Sequence, residues 1–236
     1  MHKFALIFFL AAGMGLWAES LPEWLVPLRE AIYEQQLNAD AVRPLYEAAK
    51  TAAHTHCSGT ALNLALSRCE YFMGRALQYD NRNSEASVHY AEGMQLAEKV
   101  IAAAPSAGAW QMLAENLSQN CAVRSTAYAM ANGLNVEKYA KNALALNGRN
   151  AAAQYMVAAR WVFAPAPLHN HRRGIQMMEA IITEGDMEKD DCFNVYLAIG
   201  YAYIQQKKYA DARPWLIKSL EIYPTNKYAV ELLNTR

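Results

Sequence analysis

The sequence predicts an all-α protein built as one stack of antiparallel helical hairpins. Three observations carry that expectation. The composition is 53% hydrophobic and dominated by alanine, leucine and tyrosine, with few β-branched runs bounded by glycine turns. Residues 193–224 read as two helical runs either side of a polar hinge, Gln205-Gln206-Lys207-Lys208. Pro105, Gly148 and Pro224 then punctuate the chain where a helix must stop or turn.

Taken in order, the chain starts with a short positive head, Met1-His2-Lys3, followed by an apolar run over residues 4–16. Ala18 ends a cleavage site before Glu19, so residues 1–18 are expected to be a signal peptide and 19–236 the folded domain. The run is shorter than the roughly 20 apolar residues that span a bilayer. No cysteine follows it, so membrane attachment is left only to an uncleaved signal segment. Cleavage removes Lys3 and no acid, leaving 21 bases against 22 acids. A neutral protein in the periplasm is the expectation, and neutrality argues against nucleic acid as a partner.

Residues 21–36 (LPEWLVPLREAIYEQQ) read as a broken amphipathic helix that caps or lies over the first repeat. The next helix is expected over 40–54, with Asp40 as N-cap and Pro44 in its first turn. Residues 60–79 and 84–104 form a long hairpin around the polar hinge Asp80-Asn81-Arg82-Asn83, ending at Pro105. The following helix is expected to run to about Met130. Asn132-Gly133 would break it, and residues 136–146 would return as the second arm. Residues 151–163 make another first helix, and Ala164-Pro165-Ala166-Pro167 an extended insert before a helix over 172–183. The hairpin at 193 and a short capping helix over 226–233 complete the stack, with no domain boundary in sight.

Counting from Phe193, the fourth, seventh, eighth and eleventh residues are Tyr196, Ile199, Gly200 and Tyr203. The twentieth, twenty-fourth, twenty-seventh and thirty-second are Ala212, Leu216, Ser219 and Pro224. This order of bulky and small residues resembles the tetratricopeptide repeat. Trp110, Leu113, Ala114 and Leu117 repeat its first-helix pattern, and Val157, Ala158 and Trp161 most of it. The resemblance implies a right-handed superhelix of stacked hairpins that binds peptides, partner proteins or small ligands and is not catalytic.

A narrower likeness rests on the long hairpins, the insert Trp-Val-Phe-Ala-Pro-Ala-Pro at 161–167 and the restart Arg-Arg-Gly-Ile at 172–175. These are similar to the TatT-like repeat proteins that accompany periplasmic TRAP transporters. That likeness implies an oligomerising helical protein around a pore or cleft. It also implies docking to a periplasmic solute-binding protein for organic acids or other hydrophobic ligands. The sequence departs from the lipoprotein members in lacking their anchoring cysteine.

Four cysteines enter the oxidising space: Cys57, Cys69, Cys121 and Cys192. Cys57 and Cys69 lie twelve residues apart on what reads as one helix, about 18 Å by helical rise against the roughly 7 Å limit for a bridge. Cys69 with Cys121, on long helices of neighbouring hairpins, is the expected disulfide; four unpaired thiols packing as small hydrophobes are the alternative.

Other candidate chemistry is sparse. In His54-Thr55-His56-Cys57, His54 and Cys57 share a helix face. A closed zinc site needs four ligands, with Cys69 or His89 drawn in, so no metal and no cofactor are expected. His169-Asn170-His171-Arg172-Arg173 reads either as an anion clamp or as a solvated hinge. Asp190-Asp191 reads as an acidic N-cap. With no nucleophile–base spacing, phosphate loop or paired carboxylates, no catalytic residue is expected.

First helices line the concave face of such a stack. The groove-facing sets are Asn194, Leu197, Tyr201 and Ile204 in the last unit, and Ala152, Tyr155, Ala159 and Val162 in the unit at Ala151. In the unit near Ala107 they are Gln111, Glu115, Ser118 and Gln119. The candidate binding residues are Asn116, Gln119, Arg124, Tyr155, Arg160, Asn194 and Tyr201; the alternative is that the aromatic members are core filling. The expected function is to dock a partner protein on the concave face. The alternative is a small organic or hydrophobic ligand held in a helical cleft, which an enclosed cavity lined by Tyr155, Trp161 and Tyr201 would favour.

Overall fold

The structure is a computed structural model that describes residues 21–235. The expected signal peptide lies outside the described residues. These form a 3-10 turn, Glu23–Leu25, and eleven α-helices. The helices are α1 (Val26–Glu34), α2 (Ala39–His56), α3 (Gly59–Tyr79), α4 (Asn83–Ala103), α5 (Ala107–Val123) and α6 (Thr126–Leu146). They continue with α7 (Ala151–Phe163), α8 (His171–Glu184), α9 (Lys189–Gln205), α10 (Tyr209–Ile222) and α11 (Lys227–Leu233). Odd and even helices pair into hairpins that stack in chain order, with α11 as the cap.

One capping device recurs at the starts of the helices. Side-chain oxygens of Asn38, Ser106, Ser125, Asn150, Asn170 and Asn226 each accept a bond from the backbone N–H three residues on. Within hairpins the arms approach closely at glycine. A Cβ on Gly200 would fall 2.6 Å from Leu216 of α10, and one on Gly74 only 2.5 Å from the Tyr90 ring of α4.

Three boundaries differ from the sequence expectation. The long helix ends at Val123, because Ser125 caps α6, which then runs unbroken through Asn132-Gly133. The Asn132 side chain donates to the Tyr128 carbonyl within that helix, and one glycine costs only about 1 kcal/mol there. The cap of α2 is Asn38; Asp40 instead pairs with Arg82 at 2.7 Å, and Pro44 lies beyond the first turn. Helix α9 starts at Lys189, ahead of Asp190-Asp191; Asp191 accepts from the Glu188 N–H at 3.0 Å.

The expected Cys69–Cys121 disulfide is not formed: all four thiols are free. Ser67 marks the face of α3 that meets Asn116 of α5. Cys69, two residues on, projects about 200° away round the helix. Cys57, placed on the Cys69 helix by the sequence reading, is the extended residue that ends α2.

The two ends of the stack meet. Tyr33 of α1 packs edge-on to Phe193 of α9 and face-on to Tyr223 beyond α10. Around this aromatic cluster Arg29 bonds Glu188 at 3.5 Å and Asp190 at 3.3 Å, and Lys189 pairs with Glu30. Asn226 donates to the Tyr33 carbonyl at 2.7 Å, and Gln35 accepts from the Lys227 N–H at 2.9 Å. The largest hydrophobic core joins α1 to α5 with Phe193, Tyr223 and Ala229, so the solenoid closes on itself.

Candidate functional site

Closure converts the concave face into a half-open chamber, with Leu37, Tyr79, Phe163 and Tyr228 exposed at its mouth. One cavity of about 370 Å³ opens among Leu21, Arg68, Gln111, Asn150, Glu188 and Asp190. A second, of about 690 Å³, is walled by residues of α1, α3, α5, α7, α9 and α11. Tyr71, Glu115, Ala152 and Asp191 line both, so they mark the junction between the two. Such volumes suit a small molecule, for which about 300–1,000 Å³ is typical.

The wall is aromatic with a few charges. Arg75 lies between three phenol rings, its guanidinium carbon 5.8, 5.7 and 5.1 Å from the centroids of Tyr33, Tyr71 and Tyr79. It donates to the Tyr71 hydroxyl at 2.8 Å and to that of Tyr79. Two of five N–H donors are thus used, and no carboxylate among the described residues forms an ion pair with Arg75 within 4.0 Å. Glu115 has no cationic partner within that distance either; its one contact is the Gln111 amide at 3.5 Å. Burial, reinforced by the nearby Asp190 carboxylate, pushes Glu115 up to about 7. Burial and then Asp190 raise Asp191 as well. A cleft holding strongly perturbed carboxylates and an unpaired guanidinium is a candidate binding site.

Of the residues picked from sequence, Gln119, Tyr155 and Asn194 line the chamber, and Asn194 also donates to the Tyr33 hydroxyl at 3.0 Å. The others lie elsewhere. Asn116 is fully buried between helices, donating to the Met112 carbonyl at 2.9 Å and lying against Gly93. Arg124 ends α5 and stacks on Tyr128 at 4.0 Å. Arg160 pairs with Glu137 and covers Trp161, which Arg173 flanks at 4.1 Å. Tyr201 packs on Phe163 with centroids 5.0 Å apart; Phe163, not Tyr201, lines the chamber. His89, weighed as a metal ligand, instead binds Glu70 at 2.6 Å.

Sequence reasoning placed Glu115 on the groove but missed Arg75, Tyr71 and the whole contribution of α1. A signal existed. Gly74 meets the second arm of its hairpin as Gly200 does. Taking Gly74 as the eighth position makes Arg68, Tyr71, Arg75 and Gln78 the second, fifth, ninth and twelfth. All four line the chamber.

The fold is similar to that of TTC0263, a thermophilic TPR protein of Thermus thermophilus. The TM-score is 0.56 at 15% identity, over 90% of this chain and 98% of that one. YrrB, a TPR protein with an unusual peptide-binding site, matches with a TM-score of 0.42 at 16% identity, over 86% of this chain and 96% of that one. No family model matches the sequence, and no curated protein matches it. The likeness to TTC0263 gives this chain the fold of a tetratricopeptide-repeat solenoid.

Proposed function

We propose that this protein is a binding protein, not an enzyme, and that it holds a small organic acid in the chamber. The carrying observation is Arg75, a guanidinium inside an aromatic cavity with no carboxylate of the described chain paired to it. Arg75 is half-buried, with N–H donors left over for a partner, and the planar fork of arginine matches a carboxylate on two N–H donors. Tyr155, Met156, Leu197 and Phe163 offer the apolar body of such a ligand a surface on the same wall. The closing of α1 over the concave face weighs against the other sequence-based reading, a partner protein docked in an open groove.

The test is ligand-observed NMR with butyrate, hexanoate and 3-phenylpropionate. Saturation transfer to the acids by the wild type, lost in R75Q, supports the proposal. Equal transfer by R75Q overturns it, as does the absence of transfer by the wild type both to these acids and to acids that also carry an amine.

Export to the periplasm and exchange of the ligand with a solute-binding protein complete the proposal. They rest on the sequence of residues 1–18 and on the likeness to the transporter-associated repeat proteins. Fractionation of cells expressing the full chain checks the first. Co-purification of a solute-binding protein with the exported form checks the second.

A further inference from the structure

We infer that the chamber's ligand is a zwitterion, its carboxylate on Arg75 and its protonated amine on Glu115. The inference rests on the ligand-holding proposal above and names its substrate class.

Arg75 and Glu115 occupy the same register position, the ninth, on neighbouring inner helices α3 and α5. Packed helix axes lie about 8–10 Å apart, so the two charges stand at one level of the wall. Both line the larger cavity, yet neither is paired with the other or with any opposite charge within 4.0 Å among the described residues. A direct salt bridge would satisfy both and close the site. Held apart and unpaired, they complement a molecule carrying both charges.

The surroundings carry both signs of charge. Beyond Glu115 the smaller cavity is lined by Arg68 and by Asp186, Glu188, Asp190 and Asp191; Arg29 pairs with Glu188 and Asp190 and Arg149 with Asp186, so among the described residues Asp191 is the one of these acids without an ion pair. The larger cavity holds Arg75 and Lys227 together with Asp80, Glu115, Asp191 and Glu231, and phenol rings lie closest to Arg75. Cations and carboxylates thus share the wall of the chamber, which suits a guest that carries both charges. A plain carboxylate would gain Arg75 but meet Glu115 and Asp191 as like charges. A plain amine would gain the acids but meet Arg75. Tyr71 and Tyr155 line the same cavity, and phenol faces favour a cation as well as an apolar side chain.

The test pairs each amino acid with the same skeleton lacking the amine: phenylalanine with 3-phenylpropionate, leucine with 4-methylpentanoate, 4-aminobutyrate with butyrate. Affinities are measured by calorimetry on the exported form of the chain. In at least one pair the amino acid is expected to bind about tenfold or more tightly, as a hydrogen bond between charged groups is worth. E115Q is expected to erase that preference from both sides, weakening the amino acid and strengthening the plain acid, and R75Q to weaken both members.

The preference is also expected to grow as pH rises through about 7, where Glu115 ionises. The groups facing Glu115 are Arg68, Tyr71 and Arg75 of α3, Tyr155 of α7, and Asp190 and Asp191 of α9, with Gln111 on its own helix. Should every plain acid bind as tightly as its amino partner while still depending on Arg75, the zwitterion fails and the organic-acid proposal stands. Absence of binding by all six compounds overturns both.

Discussion

Tyr33 of α1 stacks on Tyr223, just past α10, with ring centroids 4.9 Å apart and planes 16° from parallel. The pair joins α1 to the last hairpin, so it ties the two ends of the stack together beside the chamber. Removing the ring in Y33A is expected to cost about 3–5 kcal/mol. Y33F keeps the stack and loses only the bond from Asn194, which is worth about 1 kcal/mol. Urea unfolding measures the difference, and hydrogen exchange should show α1 opening first in Y33A.

Glycine-to-alanine changes separate packing from helix propensity. Propensity alone favours alanine by about 1 kcal/mol. At Gly74 the new methyl would meet the fully buried Tyr90 ring, whose hydroxyl is held by Gln78 at 2.6 Å; at Gly200 it would meet Leu216. Both substitutions are expected to destabilise by about 1–3 kcal/mol through overpacking. Gly133 in α6 has nothing within 4 Å of a new Cβ, so G133A is expected to stabilise. The three denaturation midpoints check the contrast.

Thiol chemistry checks the cysteine arrangement. Without reductant, the unfolded protein is expected to titrate as four thiols, matching the four free cysteines. In the native state Cys57 should react with a maleimide first. Cys69 is fully buried, and burial with the neighbouring Glu70 carboxylate pushes its thiol up to about 12. It should react only on unfolding.

The hairpin stack was legible because its evidence is local: small residues at Gly200 and Ala212, a stop at Pro224, polar hinges between. Positions facing the chamber were legible wherever that register was visible, as at Glu115, Tyr155 and Asn194. On α3 they stay hidden until Gly74 is recognised as the residue that sets the register there. The closure was not legible at all. Tyr33, Phe193 and Tyr223 look like ordinary core residues, and nothing local tells a helix over residues 26–34 that its partners lie at the far end of the chain. Arg160 and Arg124 failed differently: a guanidinium near the groove in sequence found a closer partner in Glu137 or Tyr128.

Glu70 is buried on α3 and accepts from the Tyr46 hydroxyl at 2.6 Å, with His89 at 2.6 Å and Lys50 at 3.4 Å. Burial pushes its carboxyl up, but the bonds from His89 and Tyr46 outweigh this and hold it below the ordinary 4.5. The folded state therefore binds its proton less readily than the unfolded state does. The stabilisation is present above pH 4.5 and is lost as pH falls through the depressed folded value. E70A is expected to cost about 3 kcal/mol or more at neutral pH, since it strands the partners of a buried charge. The deficit should shrink on acidification, as unfolding free energies on either side of pH 4.5 would show.

Glu115, on the next inner helix, should show the opposite sign. Its folded value stands at about 7 against an ordinary 4.5, with burial as the main cause. Below pH 4.5 both states hold the proton and the group contributes nothing. Between 4.5 and about 7 the folded state holds a proton that the unfolded state has released, so stability falls as pH rises. Above that range both states are ionised and the penalty is constant. E115Q should therefore unfold like the wild type in acid and at a higher temperature from neutral pH upward. Thermal unfolding across this range checks it: a Tm difference independent of pH would mean that Glu115 is solvated and not enclosed by the chamber. A stabilised variant that also lost its preference for amino acids would show the wild type keeping a destabilising carboxylate for what it binds.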